Sequence, residues 1–295
     1  MSRFPLGRLG IDIGGTHVRI LGEDTDGRRS EVVSAPVASS YDGLLELIAE
    51  LTDTVGKPPF SAIGCGLPGS TSADVPIYVP AIPWIEGRAF ADDLSRLLGG
   101  SVTLAMDGQL TLLGEVLEGA ASGYRSCVLV AVGTGIGGAL MIEGRIWRGH
   151  HGGAGAWGWL PAGDPGVQRA LFEQVASGTA LGERATALQH DWTSRALVTA
   201  ARSGSEPARA ELVAYGERLG RGLAAIVNLV DVEAVIFGGG LVAEVDLLTD
   251  PITSALEAAI SPTTRGVAFV PAGLGPMAGV VGALRVSDAE EAAWL

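Results

Sequence analysis

The stretch L-G-I-D-I-G-G-T-H-V-R-I-L-G-E-D-T-D-G, residues 9–27, decides how the rest of the chain is read. Apolar residues flank a Gly14-Gly15-Thr16 turn on both sides, and a second turn signal follows at Asp26-Gly27. Two apolar runs joined by a glycine pair predict an antiparallel hairpin. The turn carries no bulky side chain, so its backbone N–H groups stand open to an anion such as a phosphate oxygen. Asp12 lies on the first strand beside the turn, where a carboxylate can hold Mg²⁺ directly or through water. An ordinary hairpin has the same local sequence, so this stretch alone leaves both readings open.

A second unit of the same kind opens at residue 127. C-V-L-V-A-V-G-T-G-I-G-G-A-L-M-I-E-G-R-I, residues 127–146, again runs strand, glycine turn, strand. Gly133, Thr134, Gly135 and Gly137 could cradle phosphate in the same way. No Lys-Ser/Thr follows these glycines, so this is not a Walker loop. A strand rather than a helix follows, which also argues against a dinucleotide fingerprint. Two such turns about 120 residues apart form a weak internal repeat and suggest two related lobes.

Between them, a short buried strand is predicted over Ala62–Leu67, ending in Pro68-Gly69, and residues 70–88 are proline-rich and irregular. A helix is predicted over Phe90–Leu98, a strand over Val102–Ala105, and a helix over Leu110–Ala121 that starts just after Asp107. A carboxylate at that strand end can take a proton from an attacking hydroxyl. It can equally be the N-cap of the helix. Farther on, helical patterns dominate residues 166–228. A buried strand, Ala234–Phe237, then runs into Gly238-Gly239-Gly240, where an adenine or ribose could lie flat against the backbone. A plain strand-to-helix turn fits that triplet as well. A glycine-spaced helix is predicted over Leu274–Val286 and could cross back to the first lobe.

Composition narrows the function classes. The chain has 295 residues, 47% of them hydrophobic and 18% charged, which suits a folded globular protein. Its charge is −13, from 20 basic and 33 acidic residues, so no nucleic-acid partner is expected. Cys65 and Cys127 have neither disulfide nor metal spacing and read as reduced core thiols. The glycine-interrupted apolar run at 127–142 is too short for a membrane span, and the first residues carry no signal-peptide pattern. A cytoplasmic protein without a membrane partner is expected.

Taken in order, these elements resemble the ROK family (repressors, open reading frames, kinases) of bacterial sugar kinases. The resemblance runs through D-I-G-G-T, G-L-P-G at 66–69, the aspartate before L-G-E at 113–115 and G-T-G-I-G-G-A-L-M-I-E-G-R. It continues through R-G-H-H-G-G-A-G, F-E-Q-V-A-S-G-T-A-L at 172–181 and the closing G-P-M-A-G-V-V-G-A-L. It implies an α/β, two-lobed actin/hexokinase-like (ribonuclease H-like) ATPase fold. The small lobe would be residues 1–106 joined by a C-terminal helix at about 283–295, and the larger lobe residues 107–282. The resemblance further implies ATP and Mg²⁺, Asp107 as catalytic base, Glu173 as a ligand of sugar hydroxyls, and a homodimer. ATP would lie on Gly14, Gly15 and Thr16 and on Gly133, Thr134, Gly135 and Gly137. Mg²⁺ would sit near Asp12, and adenosine against Gly238, Gly239 and Gly240. Gly66, Pro68, Met106, Ala156 and Trp159 fall at the acceptor.

The departures from the family pattern are concentrated at that acceptor. ROK kinases carry G-E-I-G-H, whose glutamate and histidine contact the sugar; here the stretch is Gly155-Ala156-Trp157-Gly158-Trp159. The family's cysteine-rich zinc loop falls near residues 163–171, which contain no cysteine, so no zinc site is expected. The usual asparagine before the aspartate is Met106, and another in the proline-rich loop corresponds to Ala81. Each lost contact removes about 0.5–1.5 kcal/mol. Trp84, Trp157 and Trp159 add aromatic area, either as core fillers or as a surface on which a sugar's C–H face can stack. Two readings follow. One is a kinase that phosphorylates a primary hydroxyl of an unusual hexose-like acceptor, such as an amino sugar, a deoxy sugar or a cyclitol. The other is a non-catalytic, regulatory sugar- or nucleotide-binding relative. ROK repressors carry an N-terminal DNA-binding segment, and with a phosphate motif starting at residue 11 none is expected here. His150 and His151 are expected on a surface loop, and Arg19 and Arg148 are expected to be solvated.

Overall fold

A computed structural model describes residues 7–72, 74–162 and 171–286. The chain divides into two compact units. The first takes residues 1–123, 143–154 and 276–295, and the second takes residues 124–142 and 155–275.

The first unit opens with β1 (Arg8–Ile13), β2 (His17–Glu23) and β3 (Val33–Pro36), followed by α1 (Tyr41–Val55) and β4 (Ala62–Leu67). A small hairpin, β5 (Ser70–Ser72) and β6 (Val75–Tyr78), occupies part of the segment expected to be irregular. Then come α2 (Phe90–Leu98), β7 (Ser101–Met106) and α3 (Asp107–Glu118). The sheet order is β3-β2-β1-β4-β7. β1 pairs antiparallel with β2 across the Gly14-Gly15 turn and parallel with β4, which pairs parallel with β7.

Side-chain alternation along the central strands explains their glycines. Leu9, Ile11 and Ile13 of β1 and Ile63, Cys65 and Leu67 of β4 enter one core with Leu44 and Ile48 of α1 and Phe90, Leu94 and Leu98 of α2. The intervening residues, Gly10 and Asp12 on β1 and Gly64 and Gly66 on β4, face the opposite way. A Cβ on Gly10 would reach Leu284 N at 2.6 Å, and one on Gly64 would run into the Ala283 carbonyl.

The second unit contains β8 (Cys127–Val132) and β9 (Ile136–Ile142). A two-residue β10 (Arg145–Ile146) belongs to the first unit. The second unit continues with α4 (Phe172–Ala176), α5 (Gly178–Leu188), α6 (Ser194–Arg202), α7 (Glu206–Val230), β11 (Ala234–Gly238), α8 (Val245–Ala259) and β12 (Ala268–Pro271). Its strands run β9-β8-β11-β12, with β8/β9 antiparallel and β8/β11 and β11/β12 parallel. This order repeats β2-β1-β4-β7, so the glycine-turn echo in the sequence reflects a repeated topology. Leu212, Leu219, Leu223 and Val227 form the buried stripe of α7. Gly216 and Gly220 let α8 approach, since a Cβ on Gly216 would lie 2.7 Å from Pro251 Cγ.

The chain ends its described part in α9 (Ala278–Val286), which belongs to the first unit. It covers the glycine face of β1 and β4 and also packs on α3, where Cβ atoms on Gly114 and Gly282 would strike the Ala278 and Leu110 carbonyls. Arg285 fastens the helix by two bonds of 3.0 Å to buried Glu23. This packing keeps α3 in the first unit, whereas the sequence drew the lobe boundary at 106/107. The helix expected at about 283–295 begins earlier, at Ala278, and residues 287–295 lie outside the described ones. Among the described residues no helix is long and apolar enough to cross a membrane, and both cysteines are free and buried.

Candidate active site

In the first unit the candidate residues gather at the C-terminal ends of the parallel strands, the usual ligand-binding end of an open α/β sheet. Asp12 pairs in register with Gly66, and Gly66 with Ala105 two residues before Asp107. The missing side chain at Gly66 leaves the two carboxylates adjacent. A Cβ there would stand 3.4 Å from Asp12 Oδ1 and 3.7 Å from Asp107 Cα. On the α9 side, a Cβ on Gly279 would lie 2.9 Å from the Asp12 carboxyl, so only glycine clears it.

Asp107 is the first residue of α3, and Met106 holds the N-cap position, so the aspartate is not the helix cap that the sequence left open. Its Oδ1 accepts the Gly108 N–H at 2.7 Å. Gln109, fully buried, accepts the Met106 N–H at 3.4 Å and donates to the Gly152 carbonyl at 3.1 Å, fixing the start of the helix.

Both carboxyls are shifted. Burial pushes Asp12 up to about 6, with the charge of Arg19 pulling the other way. Burial, and then the neighbouring Asp12 charge, push Asp107 up to about 7 against the pull of the Gly108 N–H. Arg19, expected to be solvated, faces Asp12 across the hairpin with Nη1 3.6 Å from Oδ2. The Gly14–Thr16 turn is closed by Gly14 N–H donating to His17 O at 2.8 Å. Ala81 lies beside it, with its Cβ 3.1 Å from where a Gly15 Cβ would be. Pro68 follows β4 directly. Arg148 is half-buried and donates to the Leu104 carbonyl at 3.3 Å. His150 and His151 are exposed, as expected, in an edge-to-face pair at 4.5 Å.

In the second unit, Gly133, Thr134 and Gly135 form the turn between β8 and β9, while Gly137 lies on β9 opposite Ala131. The turn is held from both sides. Gly178 at the start of α5 donates its N–H to Gly133 O at 2.7 Å, and Thr179 Oγ1 donates to Thr134 O at 2.7 Å. Gly239 closes over it with φ +86°, and a Cβ there would collide with the Val132 carbonyl. The structure therefore brings Gly238–Gly240 against the Gly133 turn. Gly133, Thr134 and Gly240 line one cleft of about 650 Å³ with Thr179, Thr186, Trp192 and Thr193. Sequence reasoning missed these last four. The run F-E-Q-V-A-S-G-T carries Thr179, but Trp192 stands in no recognisable pattern.

A neighbouring cleft of about 550 Å³ carries the carboxylates of Glu173 and Glu183. Glu173 Oε2 lies 2.9 Å from where Cβ atoms on Gly135 and Gly158 would stand, so it reaches both the turn and the altered stretch. Among the described residues no cation pairs with Glu173. The tryptophans differ in burial. Trp157 is a core residue, 7% exposed, whose Nε1 donates to Leu129 O at 2.9 Å. Trp159 is 59% exposed. Trp84 packs partly buried against the first unit's core. Most of the stretch near 163–171 lies outside the described residues.

Known proteins resemble this chain over nearly its whole length. A sequence profile of the ROK family matches residues 8–290. The chain is 28% identical to the glucokinase of Streptomyces coelicolor over 93% of its own length and 95% of that protein's. It is 29% identical to the kanosamine kinase of Amycolatopsis mediterranei over 95% of each chain. The crystal structure of a ROK family glucokinase from Streptomyces griseus, in complex with glucose and AMPPNP, superposes with a TM-score of 0.81 at 25% identity, over 96% of this chain and 100% of that one. The fold is the mixed α/β, actin/hexokinase-like one.

Proposed function

The chain belongs to the ROK family and is an ATP-dependent sugar kinase, and from that premise we propose that it phosphorylates a primary hydroxyl of an unusual hexose-like acceptor, an amino sugar first among deoxy sugars and cyclitols. The observation that carries this reading is the contrast within the second unit. Glu173 is retained as a carboxylate with no cation paired among the described residues, yet the polar groups the family places beside it are replaced by Ala156 and exposed Trp159. A carboxylate without a counter-cation favours a positively charged amine over a neutral hydroxyl. An exposed indole favours a sugar's C–H face over its hydroxyl edge.

The chemistry on this reading divides between the units. Asp107 is the general base. It orients the acceptor hydroxyl and takes its proton, and a carboxyl pushed up to about 7 is poised to do so near neutral pH. The Gly14 and Gly133 N–H groups close their own turns, and the rest of the backbone of the Gly14–Thr16 and Gly133–Gly135 turns binds phosphate oxygens without side-chain interference. Asp12 fits a hard divalent cation. It is desolvated, its principal neutralising neighbour is a guanidinium at 3.6 Å, and a side chain at residue 279 would crowd its carboxyl. Mg²⁺ there would neutralise charge on the donor's phosphates. In a loose phosphoryl-transfer transition state, positioning and charge neutralisation supply most of the acceleration.

Acceptor screening tests the proposal. Glucose, glucosamine, a hexose aminated at another carbon and a C7 cyclitol are compared by ADP release at saturating ATP. An amino sugar should give the highest kcat/KM. Glucose as the best acceptor would refute the acceptor assignment, and turnover of none across a broad panel would favour the non-catalytic relative.

A further inference from the structure

The cleft of about 650 Å³ beside the Gly133 turn has an unusual lining for a site that recognises a base. Its side chains are hydroxyls, small aliphatics and one indole. Among the described residues no carboxylate, carboxamide, imidazole or cation lines it. The size suits a nucleoside.

Adenine and guanine differ at one edge. Adenine offers the N6 amino donor and an N1 acceptor, where guanine offers the O6 acceptor, an N1–H donor and a further 2-amino group. Strong rejection of one base requires a fixed, buried polar group that the wrong base leaves unpaired. Three carbonyls beside this cleft already accept a hydrogen bond from the protein. Gly133 O takes the Gly178 N–H, Thr134 O takes the Thr179 hydroxyl, and Trp192 O takes the Thr186 hydroxyl at 3.0 Å. Ser194 Oγ is a rotor that can donate or accept. Trp192, half-buried on the second unit's core, lines the cleft with an indole, a ring on which any purine can stack.

We propose that this cleft holds the nucleoside end of the phosphoryl donor by stacking on Trp192 and hydroxyl contacts, without reading the purine edge, so that GTP serves as a donor beside ATP. The inference rests on the kinase reading above and adds a second donor to it. The chemistry is unchanged. The acceptor oxygen bonds the γ-phosphorus, the bond from that phosphorus to the β,γ-bridging oxygen breaks with its electrons leaving on GDP, and the hydroxyl proton goes to the general base.

Calorimetric titration of the full chain with AMPPNP and GMPPNP, in the presence of Mg²⁺, tests it. The two dissociation constants should agree within about 100-fold. Trp192→Ala should weaken both analogues by a similar factor, about tenfold, and Trp192→Phe, which keeps a stacking ring, should restore both. A GMPPNP affinity more than about 100-fold below that of AMPPNP would overturn the proposal and leave the kinase reading standing. So would a Trp192→Ala protein that binds both as tightly as wild type. Failure of the wild-type chain to bind either analogue would overturn the kinase reading as well.

Discussion

Replacing Asp107 with asparagine should cost activity and gain stability, and both effects should grow as pH rises. The carboxyl stands at about 7 in the folded chain because burial and the Asp12 charge oppose its ionisation. An unfolded chain releases the same proton near 3.9. The folded state therefore binds the proton more tightly, and as pH rises from about 4 to about 7 the fold loses the advantage of the protonated group. A shift of about 3 units corresponds to about 4 kcal/mol, and partial solvation of the half-buried side chain cuts that to about 2 kcal/mol. Asparagine carries no charge and can still accept the Gly108 N–H. Thermal melts should show Asp107→Asn about 4 °C more stable than wild type at pH 8, and within about 1 °C of it at pH 4.5. Activity runs the other way. A group of pKa about 7 is about 90% ionised at pH 8 and about 10% at pH 6, so wild-type kcat/KM should fall about ninefold between them. The variant should lose about a hundredfold or more in kcat at pH 8 and show no such limb, with ATP binding nearly intact. Near-wild-type turnover, or a variant less stable than wild type at pH 8, would refute the reasoning.

Three further substitutions probe the neighbouring groups. Arg19→Gln removes the cation that holds Asp12 down, so its carboxyl should rise above about 6. The Mg²⁺ concentration for half-maximal rate should then climb several-fold at pH 6.5 and much less at pH 8, and an equal shift at both values would count against Asp12 as the metal carboxylate. Glu173→Gln should raise KM for an amine-bearing acceptor about tenfold or more while leaving AMPPNP affinity unchanged, as steady-state kinetics and titration would show. Gly239→Ala should destabilise the chain by about 1–3 kcal/mol in a denaturant melt, because φ +86° and the Val132 carbonyl both exclude a Cβ.

Local chemistry was readable along the chain. Glycine pairs between apolar runs marked the two hairpin turns, and the runs at Ala62–Leu67 and Phe90–Leu98 match β4 and α2 to the residue. Turn and helix signals act over a few residues, so they survive in one dimension. The small hairpin at β5 and β6 was not legible, because proline and exposed residues obscure a two-residue alternation. The strand β12 was missed for a similar reason, being only four residues long with its end at Pro271.

The order of glycine turns, strands and aspartates was thus determined by the sequence itself, and with it the fold class and the residues worth testing. Tertiary structure decided what those residues experience. Gly10 and Gly64 acquire their meaning only when α9, more than 200 residues downstream, lies against their face. The shift at Asp107 comes from burial and from Asp12 two strands away, while Arg19 reaches Asp12 only through strand pairing. Trp157 and Trp159, two residues apart, separate into core and surface because their neighbours in space differ. Backbone preference is set by the nearest few residues, whereas burial and charge are set by whatever folding brings within a few ångströms.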